Sequence, residues 1–379
     1  MSHHNNKIPI LSFYSGGGFM DMGFEQAGFE AVWSNEYDKT FASLHAAGIT
    51  SWRKSLGNNT KAEIFNTSSI TDVSSCDIVR EAFPGGLPIL FGMIGGPPCQ
   101  DFSINGNMNG FKGDRGSLTD VFLCKILELQ PSFFVMENVT GLLRSKKNSK
   151  HFKNLLELMA DDFLIDFKVL NSLNYGVPQS RERVFVVGIR KDLMKHKVDS
   201  CAFGEKWFPF PTCEKDYTKE VYWPTHNQFG SYVTKPENVP LSLCVNSYLV
   251  DKTQEGKIPN SAEYFNLRVK EEKLNQIKEG ETNRPSFKRL HRFRYSPTTC
   301  YGNNEVHLHP YQNRRLSVRE ALRIQGVPDS YILPEDSSLS KKFKMIGNGV
   351  PVPLAKAVAE SLREFIINNV KLDAIPGKS

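Results

Sequence analysis

The sequence predicts a doubly wound α/β sheet followed by a smaller, loop-rich lobe. Two observations carry this prediction. Strand-like apolar runs alternate with helical patterns through the first half of the chain, as far as about Lys191. Beyond Lys191, proline and aromatic residues crowd together, as in WFPFPTCEKDY, and the alternation stops. A chain of 379 residues is long enough for two unequal domains.

The predicted elements follow one another in the order expected of such a sheet. The first strand runs from Ile8 to Tyr14, and a helix follows the three glycines after it. Further strands are predicted at 31–34, 87–94, 132–136 and 184–189, with helices at 120–129 and 152–159 between them. Order returns at Ser317, where Ser-Val-Arg-Glu is a capping box that opens a helix ending at Gly326. A last helix is predicted over 353–368.

Composition excludes several classes of protein. No apolar run is long enough to span a bilayer, and the first residues lack the pattern of a signal peptide, so we expect a cytoplasmic protein. The seven cysteines are odd in number and form no C-x-x-C pair, which predicts reduced thiols and no metal site. The net charge of +6 permits a polyanionic partner without selecting one.

A turn of three glycines, Gly16 to Gly18, separates the first strand from the first helix. The bare backbone N–H groups of such a turn let a polar ligand approach closely. Glu36 follows at the end of the next strand, where a carboxylate can accept both hydroxyls of a ribose. These features predict an adenosine-bearing cofactor, and a plain tight turn is the alternative. Asp21 stands where the dinucleotide fingerprint has its third glycine, which disfavours a nicotinamide or flavin.

Two prolines precede Cys99 in the segment GGPPCQDFS, directly after a buried-strand pattern. Open α/β sheets bind ligands at the carboxyl ends of their strands, and the prolines fix the backbone ahead of the thiol. Cys99 is therefore a candidate nucleophile. A small hydrophobe packed under a loop is the alternative, and the residues alone do not separate the two.

Four segments, GGPPCQDFS, MENV, QSRER and IGNGVPVP, stand in the order seen in DNA cytosine-C5 methyltransferases, and the chain resembles that family. The resemblance covers about residues 8–192 and 314–365. It implies a Rossmann-like sheet of the S-adenosylmethionine-dependent type with a second, smaller target-recognition domain. We expect a catalytic domain over 1–192, a target-recognition domain over 193–327, and a segment over 328–379 that completes the catalytic domain.

The resemblance also implies the catalytic residues. Cys99 resembles the nucleophile whose thiolate adds to C6 of cytosine, and Glu137 resembles the glutamate that holds N3 of the base. From the residues alone, a salt-bridged structural glutamate stays open at Glu137. Arg181 and Arg183 resemble arginines that border the active site, and with Gln179 they would project from one face of a strand. The implied substrate-binding residues are Pro98, Gln100, Ser103, Arg115 and Gln179.

For the cofactor, the resemblance implies S-adenosylmethionine, with S-adenosylhomocysteine as the product and no metal. Glu36 would bind the ribose and Tyr37 would lie beside the adenine. The remaining pocket would be formed by Phe13, Ser15, Gly17, Gly18, Phe19, Ile70, Leu118, Asn348 and Val350. The chain departs from the family at Ser69, where members carry an aspartate that accepts from the adenine amino group. Either the Ser69 hydroxyl suffices, Asp72 substitutes, or adenine recognition is weaker.

We therefore expect a monomer that methylates C5 of a flipped-out cytosine in a specific double-stranded DNA sequence. A bacterial modification enzyme paired with a restriction endonuclease is the expected context. Residues 104–116 would form a loop that closes over the DNA. In 287–295 cations alternate with aromatic residues, and this segment would contact the DNA backbone unless it is a solvated basic face.

Three other functions are considered. An RNA (tRNA) cytosine-C5 methyltransferase would share the fold, but the Cys-Phe-Thr segment of those relatives is absent from the sequence. A binding protein that has lost the chemistry is disfavoured by the intact Cys99, Glu137, Arg181 and Arg183. A dinucleotide oxidoreductase would need stabilisation by NAD.

Overall fold

The computed structural model describes residues 7–57, 63–98, 117–144, 146–195, 205–302 and 305–371. Within them one mixed sheet forms the centre of the molecule. Its strands are Ile8–Phe13 (β1), Phe29–Asn35 (β2), Ile64–Asn66 (β3), Gly92–Gly95 (β4), Phe133–Val139 (β5), Phe163–Asn171 (β6) and Glu182–Arg190 (β7). They lie in the order β3-β2-β1-β4-β5-β7-β6. The strands from β1 to β5 pair in parallel, whereas β7 is antiparallel to both β5 and β6.

Helices cover both faces of the sheet, as the sequence predicted. They are Phe19–Gln26 (α1), Lys39–Ser55 (α2), Ser75–Ala82 (α3), Leu118–Leu129 (α4), Gly141–Arg144 (α5), Lys146–Met159 (α6), Glu271–Asn275 (α7), Val318–Ile324 (α8), Leu339–Asn348 (α9) and Val352–Asn369 (α10). Successive residues of β1 point to opposite faces, so Ile10 packs with α1 and α10, whereas Leu11 packs with α3, α4 and α6.

Polar residues fix the helix starts. Asp38 accepts from the backbone N–H groups of the first turn of α2. Ser117 and Asp120 form a capping box at α4, and Ser317 and Glu320 form the predicted one at α8. The sequence therefore locates the start of α8 correctly.

One predicted strand is shorter than expected. The apolar run at 87–94 forms a strand only over β4, because Pro88 lacks the N–H that a strand ladder needs. Leu87 and Ile89 are 48% and 63% exposed, so this part of the run is not core. The sequence analysis also missed β3, which has three residues, together with β6 and α9.

The loop-rich character of the second lobe is confirmed. Between Met194 and Ser317 the described residues contain only α7 and three short 3₁₀ helices. A third apolar cluster joins this region to the rest, since Leu290 and Tyr301 pack in one cluster with Phe19 of α1 and Leu44 of α2. Among the described residues no helix is long and apolar enough to cross a lipid bilayer.

Candidate active site

The carboxyl ends of β4 and β5 bring together the residues that the sequence singled out. Gly95 lies opposite Met136 in the parallel pair, so Gly96 and Glu137 follow at the same edge. A Cβ atom on Gly96 would lie 3.1 Å from Glu137 Oε2, which leaves little room for a side chain there. Asn138 Nδ2 donates to the carbonyl oxygen of Pro97 at 3.1 Å. Strand β5 thus supplies the carboxylate and also holds the backbone that leads towards Cys99.

Several predicted site residues lie outside the described residues, and their roles stay predictions. They are Cys99, Gln100, Ser103, Arg115 and the rest of the loop at 104–116. Pro98 is the last described residue before Cys99, and it is exposed. The described backbone therefore reaches the surface at the residue that precedes the thiol.

Glu137 is buried, with 7% of its surface exposed, and it pairs with one of the predicted arginines. Arg183 Nε lies 2.8 Å from Glu137 Oε1. Burial raises the pKa of the Glu137 carboxyl above its usual range, although the charges of Arg183 and Arg181 act against the shift. A carboxyl of raised pKa can hold a proton and donate it where negative charge develops.

Arg181 connects three segments of the chain. Its guanidinium donates to the carbonyl oxygens of Thr299 at 3.0 Å, Gly347 at 2.9 Å and Asn348 at 3.3 Å. The residue is 1% exposed, and burial lowers its pKa to about 9. Its Nε has no hydrogen-bond partner among the described residues. Arg181 therefore fixes the second lobe and the end of α9 against the sheet.

Gln179 does not share the position of the two arginines. Strand β7 begins only at Glu182, and Gln179 is fully buried. Its Oε1 accepts from the backbone N–H of Thr299 at 3.2 Å, and its Nε2 donates to Gln325 Oε1 at 3.3 Å. The expectation of a strand with all three side chains facing the substrate is corrected: Gln179 links protein segments, because both of its amide atoms are used inside the protein.

The glycine turn and Glu36 form the second part of the site. Gly16 and Gly18 adopt φ angles of 54° and 72°, a left-handed conformation that favours glycine. The backbone N–H of Gly16 donates to Glu36 Oε2 at 3.0 Å, and that of Asp38 donates to Oε1 at 2.8 Å. Burial raises the pKa of Glu36, and these two hydrogen bonds oppose the rise. The carboxylate is thus held directly against the turn.

The other predicted cofactor residues divide by exposure. Tyr37 is 72% exposed. Ser15 and Leu118 are half-buried, and Asn348 is exposed. The buried members are Phe13, Gly17, Gly18, Phe19, Ile70 and Val350. The ring of Phe13, for example, lies between Trp33 and Phe122 at centroid distances of 5.3 and 5.4 Å. Contact of this buried group with a cofactor stays a prediction.

At the departure from the family pattern, Ser69 is half-buried and its Oγ lies 2.7 Å from Thr71 Oγ1. Thr71 donates in turn to Asp72 Oδ1 at 3.1 Å. Ser69 and Asp72 are therefore linked through the Thr71 hydroxyl, and all three alternatives for adenine recognition stay open.

The basic and aromatic segment at 287–295 is not a free cationic surface. Arg289 is fully buried and donates five hydrogen bonds to carbonyl and amide oxygens. Arg292 pairs with Glu279 at 2.7 Å. Burial excludes Arg289 from contact with the DNA backbone, and for the rest of the segment that contact stays a prediction.

Sequence reasoning missed three features of the site. Asn138 stands beside Glu137 in MENV, so its position was a usable signal. Thr299 and Gln325 form the link to Gln179 across more than a hundred residues, which no local pattern shows. A buried cluster beneath the glycine turn was also missed.

Comparison with known proteins agrees with this geometry. The sequence model of the family described as C-5 cytosine-specific DNA methylase matches residues 8–364. The chain is 38% identical over 371 residues to Type II methyltransferase M.NmeDI of Neisseria meningitidis serogroup C, covering 96% of this chain and 85% of that protein. It is 32% identical over 375 residues to Type II methyltransferase M.FnuDI of Fusobacterium nucleatum, covering 96% and 97%. A prophage-encoded protein of E. coli has the same fold, with a TM-score of 0.60, 22% identity, and 95% and 100% of the two chains covered.

Proposed function

The chain belongs to the C-5 cytosine-specific DNA methylases and is a DNA cytosine-C5 methyltransferase, and from this premise we propose its chemistry. The enzyme moves the methyl group of S-adenosylmethionine to C5 of a flipped-out cytosine in a specific double-stranded DNA sequence. The reaction passes through a covalent bond between Cys99 and C6 of the base. S-adenosylhomocysteine is the second product.

The observation that carries this proposal is the position of Glu137. The buried carboxyl lies at the strand edge where Gly96 and Pro97 lead towards Cys99, and Arg183 Nε holds it at 2.8 Å. Burial raises the pKa of this carboxyl although the charge of Arg183 opposes the shift, and a raised pKa favours a proton on Glu137. A nucleophile and a carboxyl of raised pKa at one sheet edge suit attack on a heteroaromatic ring.

The reaction balances with the groups of the chain. The Cys99 thiolate adds to C6, and the electron pair of the C5–C6 double bond moves into the ring, where Glu137 donates a hydrogen bond to N3. C5 is then nucleophilic and takes the methyl group. A base removes the C5 proton, those electrons restore the double bond, and Cys99 leaves as the thiolate. The target cytosine must leave the DNA helix first, because its ring faces are covered in the base stack.

The described residues fit the proposed cofactor. When bound, S-adenosylmethionine supplies a methyl group on a positively charged sulfur. Glu36 offers a half-buried carboxylate to the ribose hydroxyls, and the adjacent glycine turn lets a polar ligand approach the backbone closely. Asn348, at the end of α9, is exposed and lies on the segment that Arg181 fixes. Binding therefore depends on both lobes being in place.

The cellular role is part of the same proposal. Two relatives are named Type II methyltransferases, which supports a modification enzyme paired with a restriction endonuclease. We propose that the protein acts as a monomer on DNA in the cytoplasm. Its target-recognition part is the loop-rich region, whose irregular backbone presents many side chains to a groove.

Bisulfite sequencing of DNA from bacteria that express the protein tests this function. We expect complete protection of one cytosine in one short sequence, and no protection with C99S at equal expression. Purified enzyme with labelled S-adenosylmethionine should label duplex DNA and leave tRNA unlabelled. Labelling of tRNA alone, or full activity of C99S, would contradict the proposal.

A further inference from the structure

A cluster of ionisable side chains lies beneath the glycine turn. Asp21 of α1, His45 of α2 and Glu63, just before β3, place one polar atom each within 4.8 Å of one another. His45 Nε2 lies 3.7 Å from Asp21 Oδ2 and 3.8 Å from Glu63 Oε1. The side chains of Asp21 and His45 are each 1% exposed, and that of Glu63 is 6% exposed. The cluster is therefore closed off from solvent.

His45 is in direct contact with the turn. A Cβ atom on Gly18 would lie 2.7 Å from His45 Cε1 and 2.9 Å from Nε2, so the ring packs against the Gly18 backbone. Gly18 precedes the first residue of α1, and its N–H donates to the Ser15 carbonyl at 2.8 Å. The N–H of Gly16, in the same turn, donates to Glu36 Oε2 at 3.0 Å. The His45 imidazole thus packs against the glycine turn, which is the proposed cofactor site.

The hydrogen bonds of the cluster leave His45 between two carboxylates. Asp21 Oδ1 accepts from Ser12 Oγ at 2.6 Å. Glu63 accepts from the Ser34 hydroxyl, and Arg53 Nη2 donates to Glu63 Oε2 at 2.9 Å. Asp21 Oδ2 and both ring nitrogens of His45 have no hydrogen-bond partner among the described residues. With a second proton on the ring, both ring nitrogens of His45 could donate, and Asp21 Oδ2 could accept.

The buried charges of the cluster are unbalanced unless it holds extra protons. Arg53 pairs with Glu25 as well as with Glu63, and Asp21 is a third carboxylate beside His45. One guanidinium therefore leaves two negative charges in excess when His45 is neutral. Excess buried charge is costly, and protons relieve it. Burial raises the pKa of Asp21 to about 7. Burial alone lowers the pKa of His45, but Glu63 and Asp21 outweigh it and raise the pKa. The charged groups that act on His45 are Asp21, Glu36, Arg53 and Glu63. Behind them, Ser12 donates to Asp21, Ser34 donates to Glu63, and Glu25 pairs with Arg53.

We propose that His45 is a positioning residue for the glycine turn. Its imidazolium, set between Asp21 and Glu63, holds Gly18 in the conformation that binds S-adenosylmethionine. This inference rests on the proposed binding of S-adenosylmethionine at the glycine turn. Loss of the proton leaves the carboxylates to repel each other beneath the turn, so cofactor affinity falls as pH rises. Protonation of Glu36 would weaken ribose binding at low pH and therefore acts in the opposite direction.

Calorimetric binding of S-adenosylhomocysteine, without DNA or turnover, tests the inference. For the wild type we expect Kd to rise at least about fivefold from about pH 6 to about pH 8.5. H45Q, whose amide never carries charge, should bind weakly at both pH values, with little change between them. The matched control is H226Q, which alters an exposed histidine of the loop-rich lobe and should keep the wild-type dependence.

The outcomes separate the two proposals. If H45Q binds with the wild-type pH dependence, or if the protein contains one tightly held metal ion per chain at the cluster, this inference alone is overturned. If the wild type binds no S-adenosylhomocysteine at any pH, the proposed function falls with it. Should H45Q fail to fold, D21N replaces it: removing one excess negative charge should at least halve the pH effect, and an unchanged effect overturns the inference.

Discussion

The sheet and the loop-rich lobe satisfy their backbone polar groups in different ways. In the sheet, neighbouring strands pair N–H with C=O along their length. In the lobe, irregular backbone leaves carbonyl oxygens that no ladder can pair, and buried arginines donate to them instead. Arg289 donates to the carbonyl oxygens of Leu274, Ile277, His309 and Gln312. Arg319 of α8 donates to those of Pro259, Pro328 and Tyr331.

This difference changes the meaning of a buried charge in each region. At the sheet edge Glu137 and Arg183 stand near strand ends, and we propose that they meet the cytosine there. In the lobe the arginines are structural, since five planar donors suit scattered carbonyls. Arg181 belongs to both regions, because it lies beside Glu137 yet donates to Thr299, Gly347 and Asn348.

The largest expected effect concerns a buried arginine of the loop-rich lobe. R289M should lower the free energy of unfolding by about 3–5 kcal/mol, because several buried carbonyls lose their donor at once. Urea unfolding followed by fluorescence measures this. The matched control is K288M at the neighbouring half-buried position, expected within about 0.5 kcal/mol of the wild type. Equal losses in the two variants would show that Arg289 is not a structural donor.

The second-largest expected effect concerns the carboxyl group at the sheet edge. E137Q should reduce the rate of methyl transfer about 100- to 1000-fold, because the amide cannot deliver a proton towards N3. Its midpoint of thermal unfolding should stay within a few degrees of the wild type. Single-turnover transfer to target DNA measures the rate. A stability loss as large as that of R289M with normal transfer would assign Glu137 to the structure instead.

A smaller effect sharpens the description of the sheet edge. N138A removes the 3.1 Å hydrogen bond to the Pro97 carbonyl and should reduce the transfer rate about tenfold through misplacement of Cys99. N138D is the matched variant, since an aspartate of similar size cannot donate. The two variants should be equally impaired. Wild-type activity in either one would remove Asn138 from the positioning of the loop.

The smallest effect concerns pH. In the folded protein, the pKa of Asp21 is raised to about 7 and that of His45 is raised, so the folded state holds these protons more tightly than the unfolded chain. Stability should therefore fall by about 1–2 kcal/mol as pH rises through about 7. Arg289, with a pKa lowered to about 10, stays charged over this range. Cofactor-free urea unfolding at several pH values measures the slope, and stability that rises over this interval would refute the assignment.

The fold was predictable where local chemistry decides it. The capping box of Ser317 and Glu320 located α8, and the three glycines located the turn between β1 and α1. The run at 87–94 was misjudged, because an apolar composition does not reveal that Pro88 interrupts pairing.

Short motifs were the usable signal for the candidate site: MENV contains Glu137, which was singled out, and Asn138, which was missed. The site was not predictable where partners come from distant segments. The basic pattern around Arg289 did not indicate that its guanidinium would donate to buried carbonyl oxygens. Likewise, no local pattern joins His45 to Asp21 and Glu63. Burial and partner identity, which decide the role of a charged residue, are properties of the folded chain.

The central claim is that Cys99 bonds to C6 of the target base. Duplex DNA in which every cytosine carries fluorine at C5 tests it most directly, since fluorine cannot leave as the proton does and the adduct persists. With S-adenosylmethionine present, mass spectrometry should find one modified peptide, containing Cys99 and carrying a methylated fluorocytosine nucleotide. Methylation of ordinary DNA with no trapped adduct, or an adduct on another cysteine, would contradict the account.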